Sequence, residues 1–279
     1  MDYQHIIYEP GKVARIILNR PKYFNAQSWL MREEMDDAFH KAAADKEIGA
    51  IVLSGNGDHF SVGHDIGTEE DKEYQLEHGH LRTDEYSRYK KTHEICVANT
   101  MRWRNLTKPT IAMVHGYCIY GGWMFASAMD ILFAAEDALF LPSLLQYFSI
   151  PWDVSAKKTK ELMFEHRFMS AWEGLDTGFV NRVISKDNLE TETLAFAERV
   201  AENYLLSPLR IELVKSSVNH MMDTMGFSAE IDTMYNNHVL ALGPVDNIPH
   251  PRAGGLARVS DAKENYEKTT DWLDTFKRI

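Results

Sequence analysis

Two glycine turns offer the first chemistry in this sequence. Gly116, Gly121 and Gly122 stand in GYCIYGGWMFASAMD (116–130), where a buried strand pattern gives way to a helical one. Main-chain N–H groups at a helix start have no intrahelical acceptor, so one aimed at a ligand can stabilise a developing oxyanion. The same glycines also suit close packing of helix on strand, and this segment alone leaves both readings open. A second turn, HFSVGHDIG (59–67), follows the apolar run AIVLSG (50–55) and places Gly63 in the same kind of position. Together the two turns can supply one N–H apiece to a single carbonyl oxygen.

Groups that move protons are fewer. Asp153, in IPWDVS, has Tyr147, Phe148, Ile150 and Trp152 as neighbours in sequence; these would desolvate its carboxyl and raise its pKa, as a general base near neutrality requires. The competing reading makes Asp153 the N-cap of a helix beginning near Val154. Tyr120, just before the glycine pair, is a hydrogen-bond donor or a packing residue. Glu69, Glu70 and Asp71 form a charge run, which reads as a solvated face. His78 and His80 alternate on a polar stretch with no third ligand in view, so no metal site is expected. Met221, Met222 and Met225 read as core or interface packing.

The elements that must position these residues follow a β/α rhythm. VARIILN (13–19), after the turn Glu9-Pro10-Gly11, opens with a hairpin-like pair. From Ser28 on, Met31, Met35, Ala38, Phe39 and Ala42 fall on one helical face. AIVLSG and PTIAMVHGYCI (109–119) read as strands buried on both faces, and DILFAAEDALFLP (130–142) as strand, turn and strand. Residues 67–94 are charge-rich and predict a solvated helix or lid. Beyond Lys157 the pattern is helical, with NRVIS as a last short strand and a helix opened by Asp187 with Glu190 at capping-box spacing. From about Pro208 a C-terminal helical layer is expected, punctuated at Gly243-Pro244, Pro249, Pro251 and Gly254-Gly255.

At 279 residues, 44% hydrophobic and 25% charged, the chain has the composition of a soluble globular protein with a sizeable core. A net charge of −11 argues against nucleic acid or an anionic membrane as the main partner. The two cysteines, Cys96 and Cys118, lack paired spacing and fit reduced thiols. No apolar stretch reaches the roughly 18 residues of a membrane span, and the N-terminus is too polar for a signal, so a cytoplasmic location is expected.

LNRPKYFNA (18–26), FSVGHDI (60–66), KPTIAMVHGYCIYGGWMFASAMDI (108–131) and GLDTGFVNRVIS (174–185) together resemble the crotonase superfamily, the enoyl-CoA hydratases and isomerases, over nearly the whole chain. The resemblance implies an α/β fold, a spiral of ββα turns over residues 1–205 with a C-terminal helical trimerisation region over 206–279. It implies an acyl-CoA substrate, coenzyme A entering only as part of it, no other cofactor, and a homotrimer or dimer of trimers. Motif against motif, the oxyanion donors fall on the amides of His64 and Gly121. Because only its backbone is required there, the imidazole of His64 is free to have a second role. The match also implies CoA contacts by Lys22, Ser61, Val62, Asp65 and Ile66. The sequence departs from the family where its hydratases carry two glutamates: these positions fall on Met124 and Leu144, which with Trp152 are expected to shape an acyl pocket. The resemblance offers Asp153 as the substitute base. Hydration or double-bond isomerisation of an unusual enoyl-CoA is the leading expectation. Hydrolysis or carbon–carbon cleavage of a cyclic ketoacyl-CoA, and an inactive CoA-binding protein, are the alternatives.

Overall fold

The structure, a computed structural model, describes residues 3–81, 84–143, 145–242 and 259–273. Strands β1 (Ile6–Glu9) and β2 (Val13–Leu18) pair antiparallel across the Pro10-Gly11 turn, and alternation buries Ala14, Ile16 and Leu18. Ser28 caps α1 (Trp29–Ala44) by accepting from the Met31 amide, and the predicted stripe from Met31 to Ala42 is buried. Two charged residues, Arg32 and Glu34, are buried with it. Glu34 is satisfied there by the amides of Gln4 and His5. Strand β3 (Ala50–Gly55) then runs parallel to β2.

The charge-rich segment is helical: α2 (Glu69–Glu77) and α3 (Glu85–His93) lead through a π-helical turn, Glu94–Ala98, into α4 (Asn99–Arg104). Residues 109–119, predicted as one strand, are two. β4 (Thr110–Val114) and β5 (Tyr117–Ile119) lie in different sheets, and the break is at Gly116. Its φ is +56°, and a Cβ there would stand 2.2 Å from the Asp58 carbonyl oxygen, so only glycine lets the chain turn the corner. After α5 (Gly121–Ala128) the switch repeats, β6 (Ile131–Ala135) joining the first sheet and β7 (Leu139–Leu141) the second. This strand–strand–helix recurrence is the expected ββα spiral.

Helices α6 (Ile150–Asp153) and α7 (Ala156–Glu165), strand β8 (Met169–Ser170), helix α8 (Ala171–Thr177) and strand β9 (Arg182–Ile184) complete the spiral. The sheets run β1-β2-β3-β4-β6-β9 and β5-β7-β8. Ser155, not Asp153, caps α7. The Asp187 capping box does not form either: a 3-10 turn, Lys186–Asn188, precedes α9 (Leu189–Leu206), and Glu190 pairs with Arg15 at 2.5 Å. Helices α10 (Pro208–Thr224), α11 (Phe227–Leu242) and α12 (Val259–Leu273) form the helical C-terminal region. It shares a core with the spiral, because Phe227, Ile231 and Tyr235 of α11 pack with Cys96, Met124 and Tyr147. The turn residues from Gly243 to Gly255 lie outside the described residues. Among those described, no helix is long and apolar enough to cross a membrane.

Candidate active site

The two glycine turns touch. Gly63 has φ +90°, and a Cβ on it would fall 2.9 Å from the Ile119 carbonyl oxygen and 3.0 Å from the Gly121 amide nitrogen. Short ladders fix their relation. The Ser61 amide donates to the Tyr117 carbonyl and the Ile119 amide to the Ser61 carbonyl, at 3.0 and 2.9 Å. On the other side the Gln27 amide donates to the Gly63 carbonyl and the Asp65 amide to the Gln27 carbonyl, at 2.8 and 3.1 Å, which pins the peptides flanking His64. Gly121 is the first residue of α5, and Tyr120 before it has φ +48°. Strain of that kind costs about 1–3 kcal/mol and persists only where the surroundings over-determine it.

Beside these turns is a cavity of about 420 Å³. Gln27, Arg32, Ile95 and Cys96 line its buried side, Ile66, Gly67, Lys72 and Leu81 its exposed side, and His64 and Gln146 complete it. His64 Nδ1 lies 3.2 Å from Arg32 Nη2, and its Nε2 2.5 Å from Gln146 Oε1 and 3.9 Å from Cys96 Sγ. A guanidinium only donates, so Nδ1 accepts; the neutral ring therefore carries its proton on Nε2 and donates it to Gln146. The imidazole thus sits in the cavity on the same residue whose amide is the candidate oxyanion donor.

Two carboxylates line the cavity and both are committed elsewhere. Asp65 accepts from Arg20 at 2.8 Å and from the Thr68 hydroxyl and the Gly67 and Thr68 amides. Burial alone would raise its pKa, but these hydrogen bonds outweigh it and hold the carboxyl below the usual range. Asp71, buried despite its place in the charge run, accepts from the Trp29 amide and from Gln75, each at 2.7 Å. Glu70 bonds Arg20 and His5. These contacts tether α2 across the start of α1, so the segment is anchored and not merely solvated.

Other sequence-predicted residues go elsewhere. Asp153 lines a different cavity, of about 540 Å³, together with Trp152; its oxygens accept from Trp123 Nε1 (2.7 Å), Ser149 (2.7 Å) and Ser127 (2.9 Å). Its carboxyl is raised to about 6 by burial, against the pull of those three donors. The expectation of an acid of this kind is met, but the structure does not bring it to His64. The reason is helical phase: Trp123 and Ser127, four apart on α5, hold it on their own face of that helix. Tyr120 packs with Ile119, Leu141 and Phe168, and its hydroxyl is raised to about 12 by burial and the charge of Asp261, so it turns towards α12. Met124 is fully buried in the Cys96 cluster, behind the cavity lining. Ser61 donates to the Asn25 carbonyl and accepts from the Gly63 amide and Gln27, a turn-building role. Val62 packs near Ile119, Ile66 is fully exposed, and Lys22 lies over the Tyr23 ring. Leu144 lies outside the described residues. His78 and His80 stack with Tyr74, and among the described residues no group of three metal-ligating side chains occurs.

Gln27, Arg32, Cys96 and Gln146 are cavity residues that the sequence reading missed. For Arg32 a signal existed: it lies three residues before Met35 and seven before Phe39, a charged residue on the apolar stripe of α1. The others reach the cavity only through tertiary contacts.

Known proteins resemble this chain over most of its length. The model of the enoyl-CoA hydratase/isomerase family matches residues 9–239. EchA13 of Mycobacterium tuberculosis, an enoyl-CoA hydratase by name, is 35% identical over 260 residues, covering 86% of this chain and 81% of that one. Solved structures from Mycobacterium thermoresistibile and Mycobacterium smegmatis, enoyl-CoA hydratases by name, superpose with TM-scores of 0.75 and 0.76 at 35% and 33% identity. They cover 85% and 87% of this chain, and the matches span 95% and 96% of theirs. A crotonase-type spiral and a family match over most of its length together establish that the chain belongs to the enoyl-CoA hydratase/isomerase family.

Proposed function

We propose that this protein binds an enoyl-CoA with the thioester oxygen on the amides of His64 and Gly121, and isomerises a double bond through the resulting enolate. The observation that supports this reading is the contact of the two glycine turns, Gly63 lying against the amide nitrogen of Gly121, the first residue of α5. Such donors favour the enolate over the ground-state carbonyl, because charge develops on oxygen as the α-proton leaves. A proton acceptor must then stand near the α-carbon, and His64 offers Nδ1, the ring nitrogen that accepts from Arg32 at 3.2 Å and gives up that bond to take the α-proton. One acid/base group suffices to take a proton from one carbon and return it to another. Hydration in the family's usual manner asks for two carboxylates, and the two that line this cavity are engaged with Arg20 and with the start of α1. The same reading makes the exposed row Val214, Val218 and Met221 of α10, continued by Met225 at its C-cap, a subunit interface, since spacings of four, three and four put them on one face.

The test is incubation with a panel of 2- and 3-enoyl-CoAs, read by mass and by ultraviolet absorbance. Interconversion of isomers without mass change is the expected result. Gain of one water with no isomer formed would reject the isomerase reading.

A further inference from the structure

Four arginines are buried among the described residues: Arg20, Arg32, Arg104 and Arg167. Three have carboxylate partners. Arg20 pairs with Asp65 and Glu70 at 2.8 and 3.0 Å, Arg104 with Asp223 at 3.2 Å, and Arg167 with Glu161, Glu165 and Glu173 at 2.5–2.8 Å. Arg32, only 2% exposed, meets neutral groups: the Ile95 carbonyl, Gln27 Oε1 at 2.5 Å, His64 Nδ1 at 3.2 Å and the ring of Phe125 at 4.8 Å. Its Nε has no protein partner, and no carboxylate of a described residue lies within ion-pairing distance. Burial lowers the pKa of Arg32 from its ordinary value, outweighing the opposing pull of the neighbouring Cys96 thiol. A buried guanidinium stays charged, and leaving it unpaired is costly unless something else supplies the negative charge.

That guanidinium lines the cavity of the proposed acyl site, and the carboxylates beside it are occupied. We propose that the acyl group carries an anionic end, a carboxylate, which seats on Arg32, so that the substrate is the mono-CoA thioester of an unsaturated dicarboxylic acid. This rests on the acyl-CoA reading above. His64 contributes one candidate oxyanion donor and touches Arg32 through its ring, so a single residue separates thioester oxygen from guanidinium and the diacid is short.

The probes are saturated: succinyl-, glutaryl- and adipoyl-CoA, each set against its monomethyl ester, with dissociation constants from calorimetry and deuterium uptake at the α-carbon in D2O. For at least one chain length the free acid binds wild-type protein about tenfold or more tightly than its ester, as expected of a charge-assisted contact. In Arg32→Gln the acid-to-ester ratio falls to near one. Equal binding of acid and ester by wild-type protein at every length overturns the proposal, and needs no variant to be folded. Binding and exchange by esters alone would refute the anionic end while leaving the thioester reading intact. No binding by either form would defeat both.

Discussion

His64 and Asp153 divide what the sequence had joined, a proton-carrying group and a place beside the oxyanion donors. The backbone of His64 survives any substitution but proline, so His64→Ala is expected to keep thioester affinity within a fewfold while lowering α-proton exchange by about 10²–10⁴. Deuterium uptake measured beside calorimetric affinity checks this, and equal exchange by the variant would exclude the imidazole. Asp153 is predicted to act on stability instead. Its folded pKa of about 6 lies above the unfolded carboxyl value, so the native state binds the extra proton between about pH 4 and 6. Stability linked to this group is therefore present below that window and lost as pH rises through it, by roughly 1–3 kcal/mol. Thermal unfolding of Asp153→Asn should show a smaller decline from pH 4 to 7 than wild-type protein, with exchange activity retained. A parallel decline in both proteins would deny the linkage.

At the scale of elements, the site depends on chain turns that only glycine makes. Gly63→Ala adds a Cβ at φ +90° within 3.0 Å of the Gly121 amide nitrogen, and must push the two turns apart. Loss of one donor of this kind costs about 10²–10³ in rate. Gly178→Ala is the control: its φ is +87°, with nothing within 4 Å of the added carbon. Both should pay the left-handed strain of about 1–2 kcal/mol in melting, and only the first should lose exchange. Similar losses in both would reduce the first effect to general destabilisation. The glycine turns and the helical stripe of α1 were legible because each depends on local geometry: a permissive residue at a strand end, or a 3.6-residue period. The strand break at Gly116 was hidden inside an apolar run, since burial in one sheet or two gives the same composition. The position of Asp153 was not legible either. Its partners Trp123 and Ser127 are 30 and 26 residues away, and only the phase of α5 decides which face of that helix it meets. Arg32 was visible as a charge on an apolar stripe, but its lack of a carboxylate partner is a tertiary fact.

Over the whole molecule, the ββα spiral brings the Gly63 turn that follows β3 against the end of β5 and lays α1, α2 and the π-helical turn around the junction, while α11 packs Tyr235 and Phe227 in one cluster with Cys96. The apolar row of α10 is exposed among the described residues, and at this scale the expected state is a trimer or a multiple of it. Light scattering should report that mass for wild-type protein and a monomer for Val218→Glu with Met221→Glu; a wild-type monomer would refute the interface. The central claim is that the assembled turns stabilise a thioester enolate, whatever the acyl group. It is met most directly by proton NMR of butyryl-CoA and glutaryl-CoA in D2O with wild-type protein. Deuterium should enter at the α-carbon of at least one of them, at a rate proportional to enzyme; a thioester that binds and shows no exchange above the enzyme-free control would contradict the account.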